Sequence, residues 1–282
     1  MRHSTTEERL PHLTWCTTGP LAFLPLHAAG DYPARLCASD FVVSSYTPTL
    51  DMLLNDEPDV PSSLFGDGTL LVSQPYTLGY SAIPGADREC NKVSEKFSRG
   101  TVLYHKAATV DTILEMMGLH SCIHLACHGV QVLEDPTKSA FILYDGQLEL
   151  SRLMSKSMKK AKLAVLSACQ TAAGDENLPD EAMHLAASFL AVGYRDVVGT
   201  MWSISDDDAP KVVEKFYAKL QTMYEEANDR LSVAYALHEA VKQLREEIGE
   251  SNFLKMGPIC SFWHVGTTLL LQLWRWYWIT SH

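Results

Sequence analysis

Leu163 to Asp175 reads LAVLSACQTAAGD. A run of strand-forming apolar residues gives out at Cys169, and small and polar residues follow at once. A cysteine that only fills a core would stand inside such a run. This one stands where the strand stops, rigidly held from behind and presented in front. Cys122 to Gly129, CIHLACHG, has the same design, an apolar strand that delivers His128 and then a glycine.

Working outward, short β-branched or apolar runs alternate with helical patterns. Strands are expected at 12–16, 41–46, 69–74, 122–128, 163–169 and 196–202. Helical spacing falls near 47–54, 86–98, 108–118, 181–192, 207–226 and 231–248. That alternation predicts an α/β domain with a mostly parallel central sheet and helices on both faces. Asp180 precedes a helix whose apolar positions Met183, Ala186, Ala187 and Leu190 share a face, and Gly193 follows as its stop. Ser205 opens another, with Asp206, Asp207 and Asp208 in the first turn, where the helix dipole favours acids. The Pro- and Gly-containing segments 18–32 and 55–68 read as long loops.

In an open α/β sheet, sites form outside the carboxyl ends of the strands. If the strands ending at His128 and Cys169 are parallel neighbours, about 4.8 Å apart, both side chains emerge at one edge. A free thiol has a pKa of about 8.5, and an imidazole beside it can take its proton during attack on a carbonyl. The amides of Gly129 and Cys169 are placed to donate to the oxyanion that then develops.

These segments, with TGPLAFLPLHAAG, VVSSYTPTL and DEAMHLAASFLAVGYRDVVGTMWSISDDDA, resemble the CHAT domain. This is a caspase- and separase-related cysteine peptidase family, usually found behind tetratricopeptide repeats, and the phrasing is most similar to fungal members. The ACHG and SACQT segments occur in this order, with Cys169 following His128 by 41 positions (169 − 128). In caspases the histidine likewise lies upstream, by about 50 residues. The resemblance implies a caspase–hemoglobinase-like fold over residues 1–266, with His128 as general base and Cys169 as nucleophile. It implies a protein or peptide substrate and no cofactor. WSISDDD further resembles a separase segment whose second acid lines the pocket for a basic P1 side chain, and Asp206 stands at the matching position. No tetratricopeptide repeats are present in the sequence, so a repeat or regulatory region is an expected partner outside this chain.

Plainer readings stand beside these. Cys169 alone is an inert packed thiol, and the domain is then a caspase fold that signals by binding. Cys122, His124, Cys127 and His128 suggest zinc, but on a strand Cys127 points opposite to Cys122 and His124, so no metal site is expected. His124 reads as a buried, hydrogen-bonded histidine. His27 orders its loop, and His184 backs the sheet. Asp206 as plain helix-terminus chemistry needs no substrate. A small-ligand α/β domain lacks support, since neither phosphate-binding glycine signature occurs.

The whole chain narrows the field further. It has 282 residues and a formal net charge of −11, which argues against nucleic acid as a partner. Its seven cysteines are odd in number and scattered, which suits a reducing, cytoplasmic setting. MRHSTTEERLPHLTW carries charge where a signal peptide needs an apolar core. The apolar stretch from Ile259 to Thr280 is broken up by Gly266, Thr267, Thr268, Gln272 and Arg275, so membrane insertion is not expected and residues 267–282 read as an apolar aromatic tail.

Overall fold

The structure, a computed structural model, describes residues 9–19, 21, 24–31, 34, 36–50, 64–97, 99–130, 132, 135–170, 181–201, 204–226, 232–248 and 259–263. At 136, 168–170, 181–184, 225–226 and 259–263 it describes the backbone alone. The described residues form one ten-stranded sheet and a small two-stranded one. The strands are β1 His12–Trp15, β2 Gly30–Asp31, β3 Leu36–Cys37, β4 Val43–Tyr46, β5 Thr69–Ser73, β6 Gly100–Tyr104, β7 Cys122–Val130, β8 Ala140–Ile142, β9 Gln147–Glu149, β10 Leu163–Gln170, β11 Asp196–Thr200 and β12 Ile259–Trp263. The helices are α1 Gly85–Ser94, α2 Val110–Met117, α3 Leu150–Met154, α4 Glu181–Val192, α5 Ala209–Glu226 and α6 Ser232–Ile248.

The main sheet runs β1, β4, β12, β11, β10, β7, β5, β6, with β8 and β9 continuing from the end of β7. All pairs along that path are parallel except β11 with β12, while β8 and β9 pair antiparallel. The chain lays β6 on one side of β5 and then returns to lay β7 on the other. Strand order therefore reverses between β5 and β7, which opens a crevice at their carboxyl ends.

Both faces of the sheet are covered, so β7 is buried almost throughout and reads as a near-continuous apolar run. Ile123, Leu125, Cys127, Ala164 and Leu166 pack on one face with Ile113 of α2, Leu153 of α3 and Phe189 of α4. Leu71, Ala126, Val165 and Val198 pack on the other with Ala86 of α1, Phe216 of α5 and Leu237 of α6. Gly193 ends α4 as expected. Its φ is +118°, and a Cβ there would meet the Met158 carbonyl at 2.9 Å.

Two expectations change. Residues 47–50 are not helical, and the rest of that pattern, like Asp180 and the stretch from 264 onward, lies outside the described residues. Helix α5 begins at Ala209, so Asp206, Asp207 and Asp208 precede its first turn rather than filling it. The reason is local. The Asp208 amide donates to Ser205 Oγ (3.1 Å), and that hydroxyl donates to Asp208 Oδ2 (2.6 Å), which closes a turn ahead of the helix. Among the described residues no helix is long and apolar enough to cross a membrane.

Candidate active site

Strands β7 and β10 are parallel neighbours, and their register sets Cys169 directly opposite His128 and Gln170 opposite Gly129. Gly129 is also paired on its other side, with Phe141 of β8. The strand pair therefore carries the cysteine, the histidine and the glycine to one edge.

The His128 ring is held by the segment between β5 and α1, from across the crevice. Its Nε2 donates to the Ser81 carbonyl at 2.8 Å, and its ring stacks on Tyr80 with centroids 5.1 Å apart. A carbonyl oxygen can only accept, so this bond places the proton on Nε2 and leaves Nδ1 as the proton-accepting nitrogen. Burial lowers the imidazole pKa from its ordinary value, and the bond to Ser81 opposes that in part. The ring is thus oriented and biased towards its neutral, basic form.

Asp206 follows β11 and reaches α1. Both its carboxylate oxygens accept from the Gly85 amide (2.8 and 2.9 Å), and Arg88 donates to its Oδ2 and its carbonyl, each at 3.0 Å. Arg88 also pairs with the exposed Asp207 at 3.0 Å. A Cβ at residue 85 would run into the backbone and side chain of Asp206, so glycine is required for this approach. Asp206 is therefore attached to the N-terminal end of the helix that follows the Ser81 segment. Asp208 serves elsewhere, buried against Ser205 and paired with Lys211.

His124 is fully buried, with Nε2 bonded to Glu89 Oε2 (3.1 Å) and Nδ1 facing the Tyr217 hydroxyl (3.4 Å). Cys122 and Cys127 pack into opposite faces of the sheet, so Cys122, His124, Cys127 and His128 do not converge. His27 bonds Tyr46 through both its amide and its Nδ1, which fixes its loop. For His184 only the backbone is described. Burial pushes the Cys122 thiol up to about 12 and Cys90 well above its usual value, so both hold their protons at neutral pH.

Sequence reasoning missed Tyr80, Ser81, Gly85, Arg88 and Glu89. The Ser81 contribution is a carbonyl, which every residue type supplies, so no residue identity announces it.

The chain is similar to known proteins in sequence and in fold. The family model for the CHAT domain matches residues 2–268. Among solved structures, the Arg-specific cysteine proteinase gingipain R superposes with a TM-score of 0.55 at 9% identity, over 84% of this chain and 56% of that one. A complex of the pro- and mature domains of RgpB from Porphyromonas gingivalis matches with a TM-score of 0.48 at 9% identity, over 79% of this chain and 55% of that one. The chain thus spans little more than half the length of these structures. A comparison with curated proteins gives no match. At such identity the first superposition shows a shared fold, a caspase-like cysteine peptidase fold with a mixed sheet between two helical layers. The family match covers nearly the whole sequence, and on that ground the chain belongs to the CHAT domain family.

Proposed function

We propose that this chain is a cysteine endopeptidase that cleaves protein or peptide substrates through Cys169 and His128. The observation that carries the reading is the β7–β10 register, which sets Cys169 opposite a histidine already oriented by Ser81. In the proposed reaction His128 Nδ1 takes the Cys169 proton as sulfur attacks the scissile carbonyl. The amides of Gly129 and Cys169 stabilise the oxyanion. The imidazolium then protonates the leaving amine, giving an acyl-enzyme. Water, deprotonated by His128, releases the acid and restores the thiol. The cycle needs no cofactor.

Asp206 is the proposed acid for a basic P1 side chain. Its present partner is Arg88, so the locus already accommodates a guanidinium. Asp206, Asp207 and Arg88 together carry one net negative charge, which favours a P1 cation and repels an acidic one. The test is a peptide series with Arg, Lys, Met, Leu and Asp at P1, run on the wild type and on Cys169→Ala. Cleavage after Arg and Lys, absent in Cys169→Ala, supports the reading. Equal cleavage by the two forms overturns the nucleophile, and a preference for Leu or Asp overturns the pocket.

A further inference from the structure

Helix α1 turns one face to the sheet, formed by Ala86, Glu89, Cys90 and Val93, all of them buried. Three of these are apolar or thiol-bearing and join the surrounding hydrophobic cluster. Glu89 is the exception, a carboxylate with 3% exposure at a place where leucine would satisfy packing. Burying such a group is costly unless its oxygens are bonded. Both are, and they go to different strands. Oε1 accepts from Ser167 Oγ of β10 at 3.0 Å, and Oε2 bonds His124 Nε2 of β7 at 3.1 Å.

The positions of those partners matter. Ser167 lies two residues before Cys169 on β10, and His124 lies four residues before His128 on β7. One carboxylate thus spans the two strands immediately below the level of the proposed pair. The helix that carries it continues directly from the segment holding Tyr80 and Ser81 against His128, and Asp206 fixes its first residue. Tyr217 of α5 braces His124 from its other nitrogen. These contacts join β7, β10 and the His128-orienting segment through a single side chain.

We propose that Glu89 is a positioning residue, holding β7 and β10 in the relative placement that Cys169 and His128 need to react. Its carboxylate bonds go to Ser167 and His124, and it acts through them. It acts by restraining small shear between two strands, and a displacement of about 1 Å at a reacting centre is enough to cost on the order of 100-fold in rate. The inference rests on the reading of Cys169 and His128 as the catalytic pair.

The test uses the full chain in three variant forms and an Arg-P1 peptide, with active sites counted by an irreversible peptidyl electrophile. Ser167→Ala unties β10 alone, Ser167→Thr keeps a hydroxyl there, and the double variant Glu89→Leu/His124→Leu replaces the polar link by apolar packing. The double variant also takes from the Ser167 and Tyr217 hydroxyls their bonds to Glu89 and His124, so its stability is expected to fall and its rate is read per active site. Ser167→Ala is expected to lower kcat about tenfold and the double variant about 100-fold, with KM within about twofold. Ser167→Thr is expected to restore most of kcat. Wild-type kcat in Ser167→Ala, or a loss that only follows the folded fraction, overturns the positioning role. If the double variant does not fold, the contrast between Ser167→Ala and Ser167→Thr decides alone. A wild type that neither turns over nor labels Cys169 overturns the catalytic reading and this inference with it, whereas an active wild type with unaffected variants overturns this inference only.

Discussion

The two faces of the central sheet are both buried, yet they are built differently. The face under α2, α3 and α4 is close to a pure hydrocarbon core, with Ile123, Leu125, Cys127, Ala164 and Leu166 set against Ile113, Phe141 and Phe189. The face under α1, α5 and α6 threads polar groups through its core. Ser73 donates to Asp87, Glu89 links His124 to Ser167, and Tyr217 closes on His124. All these groups are partnered, as low-dielectric surroundings demand. The difference teaches that one face is almost wholly apolar, while the other runs bonded polar groups beneath the strand ends that carry His128 and Cys169.

The sharpest way to break this comparison uses two adjacent residues that face opposite ways. Cys127 packs in the apolar face, and His128 is held by Tyr80 and Ser81 in the crevice. His128→Ala and Cys169→Ala are each expected to lower kcat by roughly 10⁴-fold or more, with the double change little worse, because members of one catalytic unit are not additive. Cys127→Ala should keep most activity per folded molecule. Peptide turnover checks this, and dependence on Cys127 would reverse the assignment of faces.

Asp206→Asn comes next. Asparagine still offers an oxygen to the Gly85 amide but loses the charge. Cleavage after Arg is expected to weaken by about 0.2–1 kcal/mol in kcat/KM, the order for an ion pair whose carboxylate is about one-third exposed. A profile across P1 side chains parallel to wild type would return Asp206 to a purely structural role.

The apolar face should answer differently. Leu125→Ala is expected to cost about 2–5 kcal/mol of stability by denaturant unfolding, while kcat per active site stays unchanged. A selective loss of kcat would show that this face also positions the site.

The smallest effect is on pH. Burial disfavours protonated His128, so the base form persists below the ordinary 6.5, and activity should fall only as pH drops through that lowered value. Tyr80→Ala admits water to the ring and should move the acid limb of kcat/KM up towards 6.5, whereas Tyr80→Phe keeps the stack and should not. An acid limb unmoved by Tyr80→Ala would break the link between burial and the basic form.

Much of the frame was legible because fully buried parallel strands announce themselves as β-branched runs. The segments at β1, β4, β5, β7, β10 and β11 are all found as strands. β8 and β9, three residues each, are too short to carry a period, and β6 was lost between two helical patterns. β12 lay unnoticed in the apolar stretch that starts at Ile259, because its pairing with β11 joins segments far apart in sequence. For the site, the cysteine and histidine were legible as residue types at strand ends. Ser81 was not, since it contributes only backbone. Glu89 was not either, because one acid in an amphipathic helix reads as a solvated position until the fold turns it inward.

The central claim is that the register between β7 and β10 makes one thiol of the chain reactive. It is tested most directly by treating the protein with a peptidyl electrophile bearing Arg at P1 and locating the adduct by mass spectrometry. The account predicts a single adduct, on Cys169, formed fast in wild type and lost in His128→Ala. An adduct on Cys127 or Cys16 instead, or labelling of Cys169 at an equal rate without His128, would contradict it.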